Sequence, residues 1–86
     1  MSFEILFTEK AEKQFKKLQR DIQKRVQIKL LLIAENPRLI GSKKLSGSED
    51  IFRVRIGDYR LIYEIHDDKL ILLFLAMGHR KDIYRN

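Results

Sequence analysis

The sequence predicts an α+β fold in the order β-α-α-β-β-β, an antiparallel meander sheet with two N-terminal helices packed on one of its faces. Two observations carry this. Between residues 9 and 35 the apolar side chains recur every three or four positions, the helical period. Between residues 52 and 65 they recur every second position, the strand period, interrupted by a glycine-led turn at Gly57-Asp58.

In chain order, Phe3, Ile5 and Phe7 alternate with Glu4 and Leu6, a short first strand of strand-favouring residues. Thr8 is placed to cap a helix. Glu9 and Glu12 follow in the first turn, where the helix dipole favours carboxylates, and Ala11, Phe15 and Leu18 mark an apolar stripe ending near Gln19. Asp21 can cap a second helix whose core positions are Ile22, Val26, Leu30 and Ile33, with Leu31 widening the stripe; it stops at Asn36, before Pro37. Pro37 to Asp50, with Gly41, Ser42, Ser46, Gly47 and Ser48, has no period and reads as a long loop. Phe52 to Ile56 and Tyr59 to Ile65 form a hairpin, and a second turn falls at Asp67-Asp68. Leu70 to Met77 is almost uniformly apolar, as in an interior strand covered on both faces, and the first strand is expected to join it.

Eighty-six residues suffice for one domain, 1–86, since a domain commonly needs roughly 100. Hydrophobic residues at 44% and charged residues at 35% fit neither a disordered chain nor a membrane protein. No apolar run approaches the roughly 18 residues of a membrane span, and residues 1–7 lack the pattern of a signal peptide, so a cytoplasmic location is expected. Without cysteine there is neither a disulfide nor a thiol nucleophile. The net charge of +6 favours a polyanion or an acidic protein as partner. Residues 1–36 and 37–60 each carry +3 and residues 61–86 carry none, which makes the middle segment the densest in positive charge. The lysines of the helices read as a solvated face.

Strand parity sharpens the charge argument. A two-residue turn at Gly57-Asp58 sets Ile56 opposite Tyr59, Arg55 opposite Arg60, Val54 opposite Leu61 and Arg53 opposite Ile62. Three arginines then share one face, while Phe52, Val54, Ile56, Tyr59, Leu61 and Tyr63 occupy the other and can bury against the helices. Like charges directly opposite each other destabilise a sheet, so an anion is the expected occupant of that face. With a two-residue turn at Asp67-Asp68, Ile65 pairs with Leu70 and Tyr59 with Ala76, and Gly78 to Tyr84 overhang the Gly57 end, bringing Arg80 and Tyr84 there. His66 and His79 lack ligand spacing, no serine has a His and Asp pair, and phosphate-binding glycine patterns are absent, so neither a metal nor a cofactor is expected. RNA carries its own nucleophile, the 2′-hydroxyl. Cleaving it needs a base, stabilisation of charge in the transition state, and a proton for the leaving oxygen.

Lys43-Lys44-Leu45-Ser46-Gly47, Phe52-Arg53-Val54-Arg55-Ile56-Gly57-Asp58-Tyr59-Arg60-Leu61-Ile62-Tyr63-Glu64-Ile65 and Gly78-His79-Arg80-Lys81-Asp82-Ile83-Tyr84-Arg85 together resemble the RelE/ParE toxin superfamily over nearly the whole chain. The resemblance implies a RelE-like fold and a type II toxin–antitoxin module. In the RelE branch it implies a ribosome-dependent endoribonuclease that cleaves messenger RNA and inhibits translation; in the ParE branch, a non-catalytic inhibitor of DNA gyrase. An acidic RelB-like antitoxin, forming a hetero-oligomer with the toxin, and the mRNA-bound ribosome are the partners it implies, with no membrane. The family's working slots fall on Arg53 and Arg55, on Arg60, on Arg80 and on Tyr84. Lys43 and Lys44 join Arg53 and Arg55 as candidate RNA-binding residues. Arginine stands at 53 and 55 where the family has lysine, and it suits phosphate stabilisation better than proton donation. Tyr84 is the candidate base and Arg60 the candidate stabiliser of the transition-state oxygens. The proton for the leaving 5′-oxygen is left between Arg80, by family slot, and His79, by its chemistry.

Overall fold

The computed structural model describes residues 2–38, 51–79 and 81, and the backbone of 43–44. β1 (Glu4–Phe7) leads through Thr8 into α1 (Glu9–Lys17) and then α2 (Arg20–Glu35). The hairpin is β3 (Ile51–Ile56) with β4 (Tyr59–His66), preceded by the two-residue β2 (Lys43–Lys44) and followed by β5 (Ile71–His79). The strands form one sheet in the order β1-β5-β4-β3-β2.

Thr8 caps α1 as expected, its hydroxyl oxygen accepting from the Ala11 amide at 3.1 Å. The boundary between the helices differs. α1 closes at Lys17 and α2 opens at Arg20 after Gln19, which makes no side-chain cap, so Asp21 lies in the first turn beside the helix dipole instead of capping it. Ile22, Val26, Leu30 and Ile33 turn inward against Phe52, Val54, Leu61, Tyr63, Leu72 and Phe74, closing the core between the helices and one face of the sheet. Each such side chain contributes about 1.5–3 kcal/mol of burial. Leu31 does not join them: it is 68% exposed, because the inward arc of α2 is already filled and residue 31 falls on its far side.

The expected meander stands, the first strand joins the last as expected, and the other edge gains a strand. β1 runs parallel to β5, pairing Glu4 with Ile71 through Phe7 with Phe74, so the sheet is mixed. The stretch read as an unbroken loop contains β2, antiparallel to β3, with Lys43 opposite Arg53.

The β4–β5 register departs from the expected one for two reasons. The turn takes four residues, Asp67 to Leu70, with Leu70 at φ 53°, so Ile65 pairs with Leu72. A bulge then leaves Leu75 unpaired between the Tyr63–Phe74 and Ile62–Ala76 pairs. α1 and its cap satisfy the polar groups around it: the Thr8 hydroxyl donates to the Leu75 carbonyl at 3.2 Å, and the Met77 amide donates to Gln14 Oε1 at 2.8 Å. The bulge turns Met77 into the core, 1% exposed, and β5 alternates buried with half-buried residues before it instead of being covered on both faces. Tyr59 therefore pairs with His79, not Ala76, and Gly78 and His79 belong to the sheet.

Three contacts tie the chain after α2 to the sheet. The Tyr63 hydroxyl, fully buried, donates to the Pro37 carbonyl at 2.6 Å. Arg38 reaches both carboxylate oxygens of Asp67, at 3.2 and 2.9 Å, and its guanidinium lies 5.6 Å from the Phe52 ring centroid. That hydrogen-bonded guanidinium holds the Asp67 carboxyl below its usual 3.8. Among the described residues, no helix is long and apolar enough to cross a membrane.

Candidate functional site

The hairpin register agrees with the sequence reading at every pair. Arg55 faces Arg60, Arg53 faces Ile62, and the turn at Gly57 takes φ 58°, a left-handed conformation glycine adopts without strain. Arg53 and Arg60 are partly buried and Arg55 is exposed. All three project from the face that turns away from the helices, because their neighbours Phe52, Val54, Ile56 and Leu61 are in the core.

On the β5 side, Arg60 lies opposite Gly78. That position bears no side chain, so the arginine face continues onto bare backbone where β5 passes Arg60. On the β2 side, Lys43 holds the register position opposite Arg53 and Lys44 the position opposite Phe52. The outer face thus presents three guanidinium groups on adjacent antiparallel strands, a pattern suited to several oxygens of a phosphate chain at once.

His79 is separated from this cluster by the sheet itself. The bulge at Leu75 reverses the parity of the last β5 residues, so His79 pairs with Tyr59 on the helix side, ring centroids 5.5 Å apart in an edge-to-face contact. Its Nδ1 accepts the Lys81 amide at 3.2 Å, which leaves Nε2 to carry the proton in the neutral ring. The other histidine, His66, meets Glu64 at 2.6 Å across Nε2 and Oε1, at the end of β4 away from the Gly57 turn. Arg80 and Tyr84 lie outside the described residues, as do residues 39–42 and 45–50 of the predicted loop. Arg25 of α2 was not singled out by the sequence, where it reads as one more solvated cation. Its Nη2 would stand 3.4 Å from a Cβ built on Gly57, so it borders the hairpin turn.

Comparison with known proteins agrees with this fold. Residues 5–84 match the family described as the ParE toxin of the type II toxin–antitoxin system, parDE. A protein of Escherichia coli described as a RelE-like toxin is 34% identical over 88 residues, covering 98% of this chain and 92% of its own. The mRNA interferase toxin RelE of Escherichia coli K12 is 30% identical over 83 residues, covering 94% of this chain and 86% of its own. Among solved structures, the intact Escherichia coli RelBE toxin–antitoxin complex contains a chain that superposes with a TM-score of 0.81 at 28% identity, covering 92% of this chain and 96% of that one. The two helices on a meander sheet, the outward arginines of the hairpin and these full-length matches lead to one conclusion: the chain belongs to the ParE toxin family, within the RelE/ParE superfamily of type II toxin–antitoxin systems.

Proposed function

We propose that this chain is the toxin of a type II module and acts as a ribosome-dependent, metal-independent endoribonuclease, working in the cytoplasm and held inactive by an acidic RelB-like antitoxin. The observation that carries the reading is the outward face of the hairpin, which gathers Arg53, Arg55 and Arg60 with Arg55 directly opposite Arg60, a basic surface suited to the phosphates of RNA. In the proposed reaction the Tyr84 phenolate takes the proton of a 2′-hydroxyl. That oxygen attacks the adjacent phosphorus, the bond from phosphorus to the 5′-oxygen breaks, and a 2′,3′-cyclic phosphate and a 5′-hydroxyl result. Arg60, with Arg53 and Arg55, stabilises the charge gathering on the phosphoryl oxygens, and Lys43 and Lys44 hold the flanking RNA. The helix-side location of His79 favours Arg80 over His79 as donor to the leaving oxygen.

The second reading, a ParE-like gyrase inhibitor, is favoured by the family match itself, which carries the ParE description while the individual relatives are named RelE. One experiment separates the two. Messenger RNA translated in a reconstituted system with this protein should show new 5′ ends inside codons by primer extension, and Arg60→Ala should abolish them. Intact transcripts, together with accumulation of relaxed plasmid in a gyrase supercoiling assay, would instead establish the inhibitor.

A further inference from the structure

The far side of α2 is apolar where a solvated helix should be polar. Ile28, Leu31 and Leu32 are 62%, 68% and 54% exposed, three of the five large hydrophobic side chains that stand exposed among the described residues. Their i, i+3, i+4 spacing gathers them into one patch, opposite the arc of Ile22, Val26, Leu30 and Ile33 that meets the core. Leaving three such side chains in water forgoes burial that a small core would otherwise use, and contiguous exposed apolar surface of this kind marks an interaction site.

The chemistry around the patch selects among occupants. Lys24 and Lys29 border it against Glu35, and the chain as a whole carries +6. A second copy of this chain would bring the same basic border against itself, like charge on like. An acidic segment with apolar side chains at helical spacing would satisfy both the patch and its border.

We infer that the Ile28, Leu31 and Leu32 face of α2 is an anchoring seat for an apolar, acid-flanked segment of the cognate antitoxin. The seat lies across the helix layer and the sheet from Arg53, Arg55 and Arg60. The inference rests on the toxin–antitoxin part of the proposed function and not on RNA cleavage.

The test uses the full-length toxin and the purified, full-length antitoxin encoded beside it, titrated by calorimetry. Leu31→Glu keeps a good helix former while setting a carboxylate against an acidic partner. Combined with Leu32→Gln it should weaken the complex by about 100-fold, whereas Leu31→Met should stay within about threefold. Thermal unfolding of the free variants should match the parent, since these side chains are exposed. Ribosome-dependent cleavage, if the parent has it, should also be unchanged, and a parent without cleavage removes the nuclease reading while leaving this one standing. Antitoxin affinity unchanged in the double variant overturns the inference. So does a free toxin that sediments as a dimer and becomes monomeric on Leu31→Glu, which would assign the patch to a second copy.

Discussion

Arg55 and Arg60 face each other on adjacent strands, and that pairing makes a prediction opposite in sign for stability and for activity. For two unit charges roughly 8 Å apart in water, Coulomb's law gives about 0.5 kcal/mol of repulsion, inside the range of about 0.2–1 kcal/mol for cross-strand pairs. Arg55→Gln removes one charge from an exposed position and keeps a polar side chain of similar shape. It should stabilise the free protein by about 0.5 kcal/mol, a rise in Tm of about 2–4 °C for a domain of this size. The gain should vanish at about 1 M salt, where the screening length shrinks to about 3 Å. Single-turnover cleavage on ribosome complexes should fall by about tenfold or more, the scale of one lost charge-assisted phosphate contact. Thermal unfolding followed by circular dichroism, at low and at high ionic strength, gives the first two quantities. An unchanged or lower Tm at low salt, or a gain that persists at high salt, would refute the claim that the arginine face is electrostatically strained.

Tyr84→Phe should slow cleavage by on the order of 100-fold or more, the scale of a lost general base, while ribosome and antitoxin affinities stay within a few-fold; single-turnover rates set beside binding isotherms check this. Tyr63→Phe should cost about 1–2 kcal/mol, because it removes the hydroxyl that donates to the Pro37 carbonyl in a fully buried setting, and it should appear as a lower urea midpoint with an unchanged slope. In Arg38→Ala the Asp67 carboxyl should titrate at its ordinary value instead of below it, seen directly by NMR. Because the paired carboxyl has a depressed folded-state pKa, its contribution to stability is present above about pH 4 and is lost as pH falls through the folded value. Parent and variant should therefore converge in stability at low pH.

The local half of this fold was legible because local chemistry decides it. Thr8 followed by Glu9 and Glu12 specifies the start of α1, and Gly57-Asp58 between period-two segments specifies a hairpin whose six pairs follow by counting, including the Arg55–Arg60 opposition. The charged face of the candidate site follows from that count alone. The tertiary structure decided whatever depends on partners distant in the chain. The bulge at Leu75 is held by Thr8 and Gln14, more than sixty residues away, and no local signal announces it. Yet it turns His79 from the arginine face to the helix side and sets Gly78 beside Arg60. The Arg38–Asp67 pair likewise joins a loop to a turn 29 residues on. Leu31 shows the same limit within one helix. Its spacing allows it to widen the apolar stripe, but the width of the buried arc is set by how much of α2 the sheet can cover, and that arc closes before Leu31. Periodicity tells which residues share a face of an element; which face finds a partner is a property of the assembled layers, because burial is proportional to area removed from water and only packing removes it.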